Sequence, residues 1–253
     1  MHEIKYNGSY PGGIPFVSIT MSTFNRPEVL ENTLKSIGQN KTSLPYEVIV
    51  VDDGSGDRHH NFCICKKYSV TYIYLDFPAV RGPAVPRNMA ARAARGEILI
   101  MQSDDVIHTQ PNTIDMLCQL NRGESNHATI RHQSNDKLIS GSEYKRPFFW
   151  LGSIYKQDFW DIGGNDEDFE KLGFEDTLLA AKVTANYKVK YLDDLTGCHQ
   201  NHPPLPQSEA KQDVFAMFKS KIAEMDDVTL DCSIHPHTVT ITNNKVGTQT
   251  FVV

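Results

Sequence analysis

Short, continuously apolar segments alternate with amphipathic ones along the first half of the chain, and this alternation constrains the fold more than any other feature. The segment 46–51 (YEVIVV) has no polar residue after Glu47 and stops abruptly at Asp52. Continuous rather than alternating hydrophobicity predicts a strand buried on both faces, as in a parallel sheet covered by helices. We therefore expect an α/β fold.

The same alternation extends through the first hundred residues. Strands are predicted at 16–21, 46–51, 70–75 and 97–101, and helices between them at 27–37, 57–68 and 84–95. Three successive β-α-β units indicate a Rossmann-like sheet flanked by helices, the arrangement of a nucleotide-binding half.

The remaining segments are less regular. Helices are predicted at 114–120, 174–185 and 209–225 and a strand at 188–192, whereas the polar residues 121–145 predict a loop. The Thr-, Val- and Ile-rich residues 227–253 predict a β-hairpin. We expect an irregular N-terminal arm (1–15), one domain (16–225) and a β-rich tail (226–253). The domain would divide into a nucleotide-binding half (16–107) and a second half (108–225).

Composition excludes several classes of function. The 253 residues carry a net charge of −6, so the chain has no basic footprint for nucleic acid. Its longest apolar runs are far shorter than the ~20 residues of a membrane-spanning helix, and its N-terminus lacks the apolar core of a secretory signal. Five scattered cysteines predict reduced thiols. We expect a cytoplasmic protein without a transmembrane segment.

Hydroxyl and carboxylate side chains follow three of the predicted strands. They lie in the segments Ser22 to Arg26, Asp52 to Ser55 and Ser103 to Asp105. Ligands of open α/β sheets bind beyond the carboxyl ends of the strands, so these segments predict a shared site. No glycine-rich phosphate loop follows the first strand. Paired carboxylates at a strand end suit Mg²⁺ or Mn²⁺, which could supply the missing counter-charge for a diphosphate.

Several of these segments together resemble a known family. The segments Val17 to Pro27, Val50 to Ser55, Pro86 to Asn88, Gly96 to Ile98 and Ser103 to Asp105 resemble the nucleotide-binding half of glycosyltransferase family 2. The segments Gly163 to Phe169 and Gly173 to Asp176 resemble the acceptor-side signature of that family. The similarity spans about residues 16–205 in the family's order. It implies a GT-A fold and an inverting, metal-assisted transfer from a nucleotide sugar.

The resemblance also implies donor-binding residues. Asp53 would hold the base of the donor with Ser22 beside it, and Arg87 would lie near its nucleotide. The other predicted donor contacts are Thr23, Asn25, Arg26 and Asp104. For Asp52 and Asp53 the alternative is structural, because carboxylates in turns often accept backbone N–H bonds.

The metal motif departs from the family pattern. The usual D-x-D falls on Ser103, Asp104 and Asp105, so a serine replaces the first aspartate. We predict both carboxylates at the metal site, with Asp105 closer to the ion. In a register one residue earlier, Gln102 would replace the first aspartate and Asp104 would be the ligand. The resemblance further implies a histidine ligand, His199 or His202, although either could be a surface-loop histidine.

The catalytic residues are predicted at the start of a helix. The resemblance implies that Asp176 is the general base and that its neighbour Glu175 binds the acceptor. Alternatively, these residues only complement the helix dipole. Trp150 and Phe149 could stack on an acceptor sugar or belong to the core.

These inferences lead to one expected function and one alternative. We expect a glycosyltransferase of glycan biosynthesis that uses a nucleotide sugar, a UDP-sugar by preference, and a hydroxyl of a glycan or glycoprotein acceptor. The alternative is an inactive GT-A domain that serves as a binding or assembly module, which the serine at position 103 favours. The tail is expected to pack on the domain or on a second copy in a homo-oligomer.

Overall fold

A computed structural model describes residues 2–6, 13–76, 82–203, 211–231, 238–243 and 247–252. In chain order its elements are β1 (His2–Tyr6), β2 (Val17–Thr23), α1 (Pro27–Ile37), β3 (Tyr46–Asp52), α2 (Arg58–Lys67), β4 (Thr71–Leu75), α3 (Ala84–Ala93), β5 (Ile98–Gln102), β6 (Val106–His108), α4 (Thr113–Leu117), β7 (Glu124–His132), β8 (Leu138–Ser140), β9 (Leu151–Tyr155), α5 (Lys156–Asp161), α6 (Glu175–Asn186), β10 (Lys188–His199), α7 (Lys211–Ala223), β11 (Val228–Asp231), β12 (Thr238–Asn243) and β13 (Gly247–Val252).

A ten-stranded mixed sheet forms the centre of the fold. Its order is β1-β4-β3-β2-β5-β9-β7-β10-β6, with β8 paired to β7. The strands β4, β3, β2 and β5 are parallel, as the β-α-β alternation predicts. Beyond β5 the sheet becomes mixed, since β9 is antiparallel to both β5 and β7. The predicted α/β class and the helix-flanked mixed sheet are confirmed.

The apolar residues of β3 are buried on both faces of this sheet. Val48 and Val50 pack in a core cluster with Leu30 and Leu34 of α1. Ile49 and Val51 point the other way, into a second cluster that includes alanines of α3. The continuous hydrophobicity of the segment therefore has the predicted cause, because a helix covers each face.

Residues 2–6 of the predicted irregular arm form a strand, so the prediction is wrong there. The strand β1 pairs antiparallel with β4, with His2 opposite Leu75. An uncovered β4 would present unpaired backbone N–H and C=O groups at the sheet edge, and β1 satisfies them. Residues 7–12 lie outside the described part of the chain.

The predicted loop at 121–145 is also wrong, because it contains β7 in the interior of the sheet, between β9 and β10. The polar residues at the centre of β7 are buried and have hydrogen-bond partners. Asn126 Nδ2 donates to the carbonyls of Leu117 and Gln119, each at 3.1 Å. His127 Nε2 lies 3.1 Å from Ser125 Oγ. Buried polar groups are tolerated when they are hydrogen-bonded, so the polarity of a segment does not exclude a central strand.

The tail contains three strands rather than a simple hairpin. β12 pairs antiparallel with both β11 and β13. Val228, Val239 and Ile241 are buried in a third cluster with residues of α6 and α7, including Phe218. The prediction that the tail packs on the domain is confirmed. Among the described helices, none is both long and apolar enough to cross a membrane.

Candidate active site

The carboxyl ends of β2, β3 and β5 border an open cleft, and α3 and α6 border it on the other side. Its volume is about 200 Å³. The described residues that line it are Ser22, Thr23, Phe24, Arg26, Asp53, Pro83, Pro86, Arg87, Ser103, Asp104, Asp105, Leu172, Glu175 and Asp176. Five segments that are far apart in sequence thus bring most of the predicted site residues together. Phe24, Pro83 and Leu172 were not predicted, since isolated apolar loop residues carry no sequence signal.

Asp52 and Asp53 have different environments at the end of β3. The Asp52 carboxylate accepts hydrogen bonds from Ser55 N at 2.8 Å, Asn61 Nδ2 at 2.8 Å and Tyr72 OH at 2.7 Å. Asp52 therefore has the structural role weighed as the alternative. Asp53 faces the cleft instead, and its backbone N–H donates to Thr23 O at 2.9 Å.

Asn25 and Trp150 are not among the described residues that line the cleft. Asn25 joins two loops: its N–H donates to Ser55 Oγ at 2.8 Å, and its amide oxygen accepts from Gly56 N at 2.9 Å. The left-handed φ of 51° at Asn25 turns these groups toward the neighbouring loop. The ring of Trp150 packs against Phe148 instead, with ring centroids 5.6 Å apart. Phe149 is buried in the core.

Asp104 is bonded to residues at the carboxyl end of β2 and in the loop that follows it. Thr23 Oγ1 donates to Asp104 Oδ2 at 2.6 Å, and Arg26 Nη1 lies 3.5 Å from Oδ1. Burial and the neighbouring charge of Asp105 raise the pKa of Asp104 to about 6. The hydroxyl of Thr23, predicted as a donor contact, thus positions this carboxylate.

Asp105 lies against the two predicted histidines. Its Oδ2 is 3.0 Å from His202 Nε2, 3.6 Å from His199 Nε2 and 2.9 Å from Arg26 Nη1. Burial opposes ionisation of Asp105, but the hydrogen bond with His202 and the nearby His199 lower its pKa to about 2. The same hydrogen bond raises the pKa of His202.

These three residues could hold a divalent cation. One potential ligand atom from each of Asp105, His199 and His202 lies within 4.8 Å of the others. Asp105 Oδ1 and His199 Nδ1 are buried and have no hydrogen-bond partner among the described residues. A carboxylate oxygen left unpaired beside two imidazoles fits a metal ligand set. Gln102, which replaces the first aspartate in the alternative register, bonds Val106 O and His108 instead.

Arg87 and the Glu175–Asp176 pair meet across the cleft. Arg87 Nη1 forms an ion pair with Asp176 Oδ1 and lies 3.7 Å from Glu175 Oε1. Glu175 is buried, and its Oε2 accepts a hydrogen bond from Gly173 N at 2.9 Å. Burial and the charge of Asp176 raise the pKa of Glu175 to about 7. Asp176, paired with Arg87, therefore stands beside a carboxyl group whose pKa is raised toward neutral pH.

Asn88, which follows Arg87 on α3, fastens the loop that leads to these carboxylates. Its Nδ2 donates to Asn165 O at 2.8 Å, and its Oδ1 accepts from Asn165 N at 3.0 Å. Gly164 in this loop has a φ of 62°, and a Cβ there would lie 3.0 Å from Asn88 Oδ1. The glycine is thus required by both conformation and space.

Phe174 sets the start of α6. It has a left-handed φ of 65°, unusual for a bulky residue. Its ring stacks on Phe218 of α7 at a centroid distance of 5.2 Å and lies 5.1 Å from Phe215. The aromatic contacts of α7 hold the strained residue directly before Glu175, a role that sequence analysis missed because nothing in the sequence marks the backbone angle.

Comparisons with known proteins agree with this geometry. The family model "Glycosyl transferase family 2" matches residues 18–174. Poly(ribitol-phosphate) beta-N-acetylglucosaminyltransferase TarP of Staphylococcus aureus (strain N315) is 29% identical over 148 residues, which cover 57% of this chain and 44% of TarP. Validoxylamine A glucosyltransferase of Streptomyces hygroscopicus subsp. jinggangensis (strain 5008) is 23% identical over 223 residues, 68% of this chain and 52% of that protein. The chain spans about half the length of these two relatives.

Solved structures share the fold at low identity. S. aureus TarS superposes with a TM-score of 0.63 and 17% identity over 83% of this chain and 40% of TarS. The Pyrobaculum calidifontis mannosyltransferase PcManGT, solved with GDP-Man and Mn²⁺, gives a TM-score of 0.59 and 19% identity over 87% of this chain and 66% of its own. These similarities confirm the predicted GT-A fold. Because the family model covers more than half of the chain and the motifs of its signature meet in one cleft, the chain belongs to glycosyltransferase family 2.

Proposed function

We propose that the chain is an inverting, divalent-metal-dependent glycosyltransferase that moves a sugar from a UDP-sugar to a hydroxyl of a glycan or glycoprotein acceptor. One observation carries the proposal. Asp53, the Asp104–Asp105 turn and the Glu175–Asp176 pair line a single cleft, although they come from two strand ends and a helix. The proposed donor site and the proposed proton acceptor would thus face the same space.

Asp105, His199 and His202 would hold the cation, and Asp104 would add a second carboxylate beside it. The ion, when bound, supplies the positive charge that offsets the diphosphate of the donor and of the departing nucleotide. Two imidazoles favour Mn²⁺ over Mg²⁺, since Mg²⁺ prefers oxygen ligands and retains its waters. The Mn²⁺ in the structure of PcManGT supports this choice.

Asp176 would take the proton of the acceptor hydroxyl. As the proton leaves, the acceptor oxygen bonds to the anomeric carbon, and the bond from that carbon to the diphosphate oxygen breaks on the opposite face. The products are the inverted glycoside, a protonated Asp176 and a nucleoside diphosphate. The ion pair with Arg87 would orient Asp176, and Glu175, with its raised pKa, would hydrogen-bond the acceptor.

The choice of nucleotide rests on neighbouring structures. TarS has been solved with UDP-GlcNAc and GalNAc-T7 with UDP, GalNAc and Mn²⁺, whereas PcManGT was solved with GDP-Man. In this chain Asp53 and Ser22 of the cleft would contact the base of the nucleotide.

The decisive test measures binding and turnover separately. The melting temperature should rise with UDP only in the presence of Mn²⁺, because a ligand that binds the folded state stabilises it. The chain should then release UDP from a UDP-sugar in a screen of donors and acceptors. Binding of UDP without any transfer or hydrolysis would identify the inactive binding module that Ser103 suggests. Stabilisation by GDP and not by UDP would overturn the nucleotide assignment.

A further inference from the structure

Gln200, between the two histidines of the candidate metal site, is buried and bonded on both sides. Its Nε2 donates to Val29 O at 3.0 Å and to Thr33 Oγ1 at 2.9 Å. Its Oε1 accepts from Asn32 Nδ2 at 3.0 Å. All three partners belong to α1. Gln200 is 4% exposed, and both polar atoms of its side-chain amide are hydrogen-bonded to α1.

The same helix also holds the carboxylate side of the site. Thr33 is fully buried, and its hydroxyl donates to Asp104 O at 2.6 Å while it accepts from Gln200. The backbone N–H of Gln200 donates to Asp105 O at 2.8 Å. Thr33 and Gln200 therefore connect the histidine segment and the Asp104–Asp105 turn, which are far apart in sequence.

The position of His202 depends more on these hydrogen bonds than the position of His199 does. His199 is the last residue of β10 and is paired in the sheet with both Val106 and His132. His202 lies beyond the strand end. Between them, Gln200 and Asn201 fix the chain, the latter through a bond from its N–H to Gln133 Oε1 at 2.9 Å.

We propose that Gln200 is a positioning residue of the metal site: its side chain, bonded to α1, sets His202 against Asp105. The proposal rests on the proposed function in that it takes the Asp105–His199–His202 cluster to bind a divalent cation. Residues that orient metal ligands from outside the coordination shell typically change metal affinity by about 10–100-fold when replaced.

The test replaces two buried amide side chains in turn and titrates each variant with Mn²⁺ in the presence of UDP. Electron paramagnetic resonance measures the bound Mn²⁺. Gln200→Leu keeps the volume and removes the three side-chain bonds. Asn126→Leu is the matched control, because Asn126 is a fully buried amide of β7 that bonds only backbone carbonyls of Leu117 and Gln119. Both variants should have a lower melting temperature than the parent chain. Only Gln200→Leu should weaken Mn²⁺ binding, by about 10–100-fold.

A double-mutant cycle then separates positioning from a general loss of stability. If Gln200 acts through His202, Gln200→Leu should change the Mn²⁺ affinity of His202→Ala by less than about twofold. Additive losses, or parental Mn²⁺ affinity in folded Gln200→Leu, would overturn the proposal while the metal-dependent function stands. If the parent chain itself bound no Mn²⁺, both the positioning role of Gln200 and the proposed metal dependence would be contradicted.

A second variant covers the case in which Gln200→Leu does not fold. Thr33→Val preserves the shape of the side chain and removes the hydroxyl that joins Gln200 to Asp104. We expect it to weaken Mn²⁺ binding by about 10-fold, in the range for outer-shell partners, with the mid-point of the titration shifted accordingly. An unchanged mid-point in this variant would contradict the proposed role of the connection through α1.

Discussion

Asp105 differs from the other carboxylates of the cleft in having one oxygen bonded to cationic and imidazole groups and the other buried without a described partner. We predict that Asp105→Ala abolishes Mn²⁺-dependent binding of UDP, because the diphosphate then loses its counter-charge. Calorimetry with and without chelator measures this, and Asp136→Ala, which removes a surface carboxylate, is the control. Equal UDP affinity for the parent and Asp105→Ala under both conditions would refute the assignment.

Asp176 can be tested by removing its capacity to accept a proton. Asp176→Asn should reduce the transfer rate by about 10²–10⁴-fold, the typical contribution of a general base. The affinity for UDP should hardly change, since the amide oxygen can still accept a hydrogen bond from Arg87. Transfer assays and UDP titrations on Asp176→Asn and Glu175→Gln distinguish the two residues. An Asp176→Asn enzyme at the parental rate beside an inactive Glu175→Gln would give the base role to Glu175.

The titration of the metal site predicts a pH dependence of cation affinity. Metal ligands must lose their protons, and the pKa of Asp104 is raised to about 6 while that of His202 is raised above its ordinary 6.5. Lowering the pH from 8 to 5 adds a proton to each group, so Mn²⁺ affinity should fall. The logarithm of the affinity should drop by up to about two units per pH unit below both pKa values. Mn²⁺ titrations at several pH values between 8 and 5 measure this dependence. An affinity that stays constant over this range would contradict the prediction.

The sequence predicts which residues lie at the cleft where a recognisable motif follows a predicted strand or begins a predicted helix. Asp53, Asp105 and Asp176 all lie at the predicted cleft for this reason. Asn25 could not be placed, because its left-handed backbone turns the amide toward Gly56 rather than the cleft. Gln200 was not predicted either, since its role depends on a helix almost 170 residues earlier in the chain.

At the scale of elements, α7 supports the start of α6 through aromatic contacts. Phe218 is fully buried and stacks on the strained Phe174, directly before Glu175. We predict that Phe218→Ala lowers the free energy of unfolding by about 3–5 kcal/mol. It should also lower the transfer rate at unchanged Mn²⁺ affinity, because Glu175 and Asp176 shift while the metal cluster does not.

The control for this prediction is a comparable cavity in a helix remote from α6. Ile64→Ala in α2 removes another buried side chain, so it should reduce the melting temperature without a specific loss of rate. Thermal unfolding and initial rates of both variants provide the comparison. Equal specific activity of folded Phe218→Ala and Ile64→Ala would show that α7 does not position the catalytic pair.

Helices and strands were predicted correctly where they have a regular apolar pattern. The predictions were wrong where hydrogen bonds, rather than an apolar pattern, stabilise a strand. The helices at 27–37 and 84–93 and the strand at 46–52 have the expected apolar pattern. β7 contains Ser125, Asn126 and His127 in a fully buried stretch, where hydrogen bonds to one another and to the carbonyls of Leu117 and Gln119 satisfy their polar groups. Such partners are known only once the fold is known. β1 was missed for a related reason, because pairing with β4 stabilises it.

At the scale of the whole molecule, the tail sheet completes the core around α6 and α7. Val239 and Ile241 of β12 are fully buried against these helices. Burying each such side chain contributes roughly 1.5–3 kcal/mol, so deletion of residues 228–253 should lower the melting temperature markedly. Differential scanning calorimetry and gel filtration of the truncated chain test this. Parental melting temperature and elution volume would show that the tail is dispensable to both fold and assembly.

Arg87 and Asn88 are adjacent on α3, yet their side chains bond Asp176 and Asn165, which lie 89 and 77 residues later in the chain. These contacts would constrain any recombinant that joins residues 1–107 of this chain to the following residues of a relative. Such a chimera would receive a new loop and a new carboxylate pair, but it would keep the old arginine and asparagine. We therefore expect it to be active only when Arg87 and Asn88 are exchanged together with their partners.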